Sequence, residues 1–180
     1  MVSSLLPIHV LLRVVLESES VSKAVEQLGE FQGSATSAHM LIADPTGSRG
    51  VEISPHGMKI IEEDEEKVIV HSNHFILTHP VDEPPWLTDS PVRIKRMREL
   101  CGEIIQETRK GSTVDIDRVR KLFRDTKNSP VSICRQEDPE RGIASLFNIV
   151  MELSEEAPPR AEVVFAIGTA GERDVVQLQW

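Results

Sequence analysis

Three short runs place side chains that do chemistry at the ends of apolar segments. In Val70-His71-Ser72-Asn73-His74-Phe75 an amide stands where an apolar run gives way to a loop. An Asn so placed can donate an N–H to a developing oxyanion. Ile53-Ser54-Pro55 puts a hydroxyl at another segment end. Ser132-Ile133-Cys134-Arg135, followed by Arg141-Gly142 and Ser145-Leu146-Phe147-Asn148-Ile149, sets a guanidinium between two apolar segments. Each also has a plain explanation: Asn73 as a turn former, Ser54 as a turn cap, the arginine as a surface charge.

The other chemistry-bearing residues are weaker. His71 and His74 bracket Ser72-Asn73, but a spacing of three along a strand turns two imidazoles to opposite faces, so shared metal ligation is not expected. The acidic run 62–66 reads as a solvated hairpin turn rather than a cation site. Cys101 falls in a helical stretch and Cys134 in an apolar strand; a reactive thiol needs an electropositive, accessible setting, so both read as inert. The chain has no G-x-S-x-G elbow, phosphate-binding P-loop, G-x-G-x-x-G or H-E-x-x-H. No cofactor or metal is called for.

Composition narrows the classes further. The 180 residues carry 20 basic and 29 acidic side chains, a formal net charge of −9. With 4% aromatic residues and no tyrosine, a nucleic-acid surface, which needs a basic stripe and stacking rings, is not expected. Two cysteines are too few for a disulfide framework and imply a reducing compartment. The most apolar stretch, 5–16, is broken by Pro7, His9 and Arg13 and is too short to span a bilayer. It is preceded by no Lys or Arg, as a secretory signal would be. The expectation is a cytoplasmic chain without membrane partners.

The elements that must hold these residues follow from periodicity and turn chemistry. Ile8, Leu11, Leu12, Val15 and Leu16 fall at helical spacing after Pro7, and Ser20 caps a second helix ending at Gly29. Four short apolar runs (39–43, 50–53, 58–61 and 68–71) are separated by Asp44-Pro45-Thr46-Gly47, Ser54-Pro55-His56-Gly57 and the acidic run, which predicts an antiparallel meander. A long helix is expected from 92 to about 110 on an apolar stripe of Ile94, Met97, Leu100, Ile104 and Ile105, then a shorter one over 115–125. Strands are expected again at 131–135, 143–153, 161–167 and 175–179. The class is α+β, one domain over 1–180, with a mostly antiparallel sheet.

Taken in order, a set of runs carries more than any one of them. They are Leu6-Pro7-Ile8-His9-Val10-Leu11-Leu12-Arg13-Val14-Val15-Leu16-Glu17-Ser18, Ser37-Ala38-His39, Glu52-Ile53-Ser54-Pro55, Val70-His71-Ser72-Asn73-His74, Ser132-Ile133-Cys134-Arg135 and Leu146-Phe147-Asn148-Ile149. Their order and spacing resemble the C-terminal portion of the acyl-coenzyme A:6-aminopenicillanic acid acyltransferase (isopenicillin N acyltransferase) family, cysteine-type N-terminal-nucleophile hydrolases. The resemblance covers about residues 5 to 153.

It implies part of an αββα sandwich with two helical layers, and a small-molecule amide or acyl-coenzyme A thioester as substrate. Members cleave themselves before a cysteine, whose own α-amino group then acts as the base, and the cysteine forms an acyl-enzyme. By resemblance Asn73 matches the oxyanion-stabilising asparagine, Ser54 a serine needed for activity, and Arg141 an arginine near the substrate. Glu140 stands where penicillin-forming members have serine, so penicillin-type specificity is not expected. The family's Gly-Cys junction has no counterpart here, and removing Met1 would expose Val2. The chain is therefore read as a fragment or truncated gene model of an acyltransferase, with a separately complemented subunit and a non-catalytic binding or structural relic as alternatives. Its expected partner is the missing N-terminal segment or a second copy.

Overall fold

The computed structural model describes residues 5–83, 88–140, 142–165, 168 and 175–179. The chain divides into two compact units, residues 1–85 and 86–180, and both mix helices with an antiparallel sheet.

The first unit opens with helix α1 (Ile8–Leu16) and helix α2 (Val21–Gly29). Pro7 precedes α1 in an extended conformation, and the Ser20 hydroxyl accepts the Lys23 N–H at 3.2 Å, capping α2 as its residue type predicts. Strands β1 (Ala38–Asp44), β2 (Gly47–Ser54) and β3 (Gly57–Ile61) follow, paired antiparallel in that order. Two-residue connections, Pro45-Thr46 and Pro55-His56, join them at the Asp44↔Gly47 and Ser54↔Gly57 pairs. Strand alternation then decides the faces. Met40, Ile42, Val51 and Ile53 point to one side, where they enclose a core with Leu11, Val21, Ala24 and Leu28 of the helices. His39, Glu52 and Lys59 stand in register on the other side.

The fourth strand expected at 68–71 does not form. Asp64 organises the acidic turn: its carboxylate accepts the N–H groups of Glu66 and Val68, both at 2.9 Å. Lys67 takes a left-handed backbone at φ 61. The chain leaves the ladder there, so an apolar run with the right alternation has no partner strand.

In the second unit α3 (Ser90–Arg109) buries Ile94 and Leu100, while Met97, Ile104 and Ile105 are half-buried along the same stripe. α4 (Ile116–Leu122) starts at Asp115, whose carboxylate accepts the Arg118 N–H at 2.8 Å. Arg96 of α3 reaches Asp125 through Nε at 3.1 Å and Nη2 at 2.7 Å. Strands β4 (Phe147–Glu152), β5 (Arg160–Phe165) and β6 (Val175–Gln179) form an antiparallel sheet in that order. The strand expected at 131–135 is absent. Its backbone is engaged elsewhere: the Cys134 N–H donates to Asp125 O, the Ser132 hydroxyl to Cys134 O, and the Arg135 N–H to Ser145 Oγ.

The two faces of this sheet differ. Arg120 of α4 meets Glu162 at 3.1 Å on one face. The register sets Phe147, Ile149 and Met151 beside Phe165, Val163 and Ala161, with Val176 and Leu178 next to them, on the other. Phe147, Ile149, Met151, Phe165, Val176 and Leu178 are each between 41% and 61% exposed.

Candidate functional site

Between Val51 and Ile53, which enter the core, strand alternation forces Glu52 to the opposite face. There its side chain is completely buried, and an unpaired carboxylate would be costly. The segment after the acidic turn supplies the partners. Glu52 accepts N–H groups from Ile76 at 2.5 Å and Leu77 at 3.0 Å, and His71 Nε2 lies 2.8 Å from the same carboxylate. His79 Nε2 stands 3.3 Å away. Burial alone would raise the Glu52 carboxyl, but the N–H groups of Ile76, His71 and Leu77 outweigh it and hold the group below the usual carboxylate range.

The other nitrogen of His71, Nδ1, lies 2.6 Å from the Ser72 carbonyl oxygen. A carboxylate only accepts, so the contact with Glu52 assigns a proton to Nε2 of His71, which donates it to the anion. His39, directly across the hairpin from Glu52, stacks on this ring with centroids 3.5 Å apart and planes 2° from parallel. Burial first, and the neighbouring His71 second, lower His39 to about 4 despite the pull of Glu52. Among the described residues His39 Nε2 is buried without a hydrogen-bond partner, above Gly50, where a Cβ would sit 3.0 Å from it.

Asn73 lies in the bend just beyond His71 and is exposed. Ser54, two residues along β2 from Glu52, is fully buried. Its hydroxyl accepts the His56 N–H at 3.2 Å and donates to Gly57 O at 3.5 Å, and its carbonyl accepts the Ser34 N–H at 3.1 Å. Gly33 passes close enough that a Cβ there would lie 2.4 Å from that carbonyl oxygen. Asn73 and Ser54 therefore share the unit of Glu52. Arg141 falls outside the described residues, in the other unit. Arg135 is ion-paired with Asp89.

His71 turns to Glu52 and His39. Cys134 is buried, and burial pushes its thiol up, against smaller opposing effects of Ser145 and Arg124. Cys101 is half-buried on α3. Among the described residues no three His, Cys, Asp or Glu side chains are grouped to hold a metal ion, and no helix is long and apolar enough to cross a membrane.

Glu52, His39 and His79 went unread as a group in the sequence. The available signal was a carboxylate between two apolar strand residues with a histidine opposite it across a two-residue turn.

Comparison with known proteins agrees with the ordered runs. The family model for acyl-coenzyme A:6-aminopenicillanic acid acyl-transferase matches residues 2–162. The acyl-coenzyme A:6-aminopenicillanic-acid-acyltransferase 40 kDa form of Emericella nidulans is 36% identical over 151 residues. That match covers 82% of this chain and 40% of the relative. The chain belongs to the acyl-coenzyme A:6-aminopenicillanic acid acyl-transferase family, and spans about two fifths of the length of this curated relative.

Proposed function

We propose that this chain is the oxyanion-stabilising part of an acyltransferase or amide hydrolase built as an αββα sandwich. In the complete protein an N-terminal cysteine attacks an amide or an acyl-coenzyme A thioester. The carbonyl oxygen gains charge as the Cys–C bond forms, and Asn73 donates its side-chain N–H to that oxygen. The amine or thiol leaves, and an acceptor amine or water then releases the acyl group. Ser54 supports the site from the end of β2 through the turn it closes, and Arg141, outside the described residues, is carried over from the family pattern as a substrate-binding arginine. The observation that carries this reading is the exposed position of Asn73 beside a segment fixed to the buried Glu52. Cytoplasmic residence belongs to the same proposal; concentration of a fluorescent fusion in another compartment would refute it.

The test joins the chain to a segment carrying the Gly-Cys junction and follows acylation by burst kinetics. Asn73→Ala should lower the acylation rate roughly 10²-fold with the fold intact. Near-normal rates would leave Asn73 as a turn residue. A second reading, a chain that keeps the fold without the reaction, is favoured by Cys134, whose buried thiol is a poor nucleophile. On either reading the 180-residue chain alone turns over neither penicillins nor acyl-coenzyme A. Turnover that survives Cys101→Ala together with Cys134→Ala would place the active centre elsewhere.

A further inference from the structure

We infer that Glu52 is the positioning residue for Asn73, one carboxylate that fastens both ends of the loop carrying it; this rests on reading Asn73 as the oxyanion donor. The loop is held at two points. Two residues before Asn73, the His71 ring meets Glu52 at 2.8 Å. Three and four residues after it, the N–H groups of Ile76 and Leu77 meet the same carboxylate at 2.5 and 3.0 Å. Residues 71–77 thus form an arch with both feet on one anion, and Asn73 is exposed within its span.

Three further contacts stiffen the feet. The His39 ring lies flat against His71. The His79 ring stacks on Phe75 with centroids 4.1 Å apart and has Nε2 3.3 Å from Glu52. The Phe75 N–H donates to Glu83 at 2.6 Å. An oxyanion donor acts through pre-organisation, so a donor on a loop depends on whatever fixes that loop. No strand ladder does so here, because the segment has left the sheet. Glu52 takes that role from the rigid β2, and it needs its charge to do so, because three nitrogen donors, from His71, Ile76 and Leu77, converge on it.

The experiment uses the whole 180-residue chain and Glu52→Gln, which keeps the size of the side chain and removes the anion. Histidine ¹⁵N spectra should show His71 Nε2 protonated and donating to Glu52 in the unaltered chain. In Glu52→Gln hydrogen-exchange protection of the Ile76 and Leu77 amides should fall about tenfold or more. Protection of Val51 and Ile53 should stay within about threefold. Unchanged protection at Ile76 and Leu77 in a folded variant would overturn the inference. Should Glu52→Gln fail to fold, the spectrum of the unaltered chain decides, and a His71 whose Nε2 carries no proton there refutes the assignment.

Acylation in the completed protein separates this inference from the reading beneath it. Glu52→Gln and Asn73→Ala should each lower the rate, and the double variant should be no slower than Asn73→Ala. Normal rates for Asn73→Ala would remove the donor while leaving the exchange result standing. A slow Asn73→Ala beside unchanged amides in Glu52→Gln would keep the donor and remove the positioning role.

Discussion

Acid should weaken the first unit over a defined pH window, and His39 sets most of it. Its imidazole is lowered from 6.5 to about 4, by burial and then by His71, with Glu52 opposing. At about 1.4 kcal/mol per pH unit this difference has a ceiling of about 3 kcal/mol, which solvent screening of the half-buried ring cuts to roughly 1 to 2 kcal/mol. The folded value lies below the unfolded one. The contribution is therefore complete above about pH 6.5, declines as pH falls because the unfolded chain takes up a proton the folded chain refuses, and is gone below about 4. Glu52, also lowered in the folded state, loses its contribution on acidification too, so the two effects add in sign. Urea unfolding of the chain at pH 7.5, 6, 5 and 4, followed by circular dichroism, gives the slope. His39→Gln removes the titrating ring and should flatten the curve by roughly 1 to 2 kcal/mol across the window. Parallel curves for the two proteins would show that burial beside His71 does not hold His39 neutral, and would refute this reasoning.

Three other outcomes follow from packing. Gly33→Ala should destabilise the first unit by about 3 kcal/mol, because φ is +145° and the new Cβ would meet the Ser54 carbonyl at 2.4 Å; an unchanged unfolding midpoint would contradict this. Iodoacetamide should modify Cys101 first and reach Cys134 only in denaturant, since Cys134 is 2% exposed; peptide mass spectrometry over time gives the order. The isolated chain should bind hydrophobic dye and associate with rising concentration in light scattering through its apolar sheet face, and Ile149→Thr with Met151→Thr should reduce both; a dye-free monomer before substitution would rule that face out as the cause.

What was legible in the sequence was local. Pro, Gly, Asp and Ser at the two hairpin turns, the Ser20 cap and the apolar stripe of α3 carry their geometry within a few residues, and the corresponding elements formed. Two expected strands failed for one physical reason. Residues 68–71 and 131–135 alternate like strands, yet alternation says nothing about where backbone groups find partners, and these are taken up by Asp64, Asp125 and Ser145. The anchor of the site was hidden because its members are far apart in sequence. His39, Glu52, His71 and Ile76 meet only once the hairpin has set the register and the chain has doubled back over it. The ordered runs gave the family because they preserve that arrangement without revealing it. The role of Glu52, quoted as the first residue of one run, came from the geometry.

The bare face of β4–β6 has a meaning inside a cell. Phe147, Ile149, Met151, Phe165, Val176 and Leu178 together make the kind of surface that holdase chaperones retain, and a chain held in that way is exposed to quality-control proteases for as long as it waits. A segment that covered the face would shorten that wait and raise abundance at an unchanged rate of synthesis. Expressed in excess it would be degraded or collect in inclusion bodies, while co-synthesis with a covering segment would raise its soluble yield.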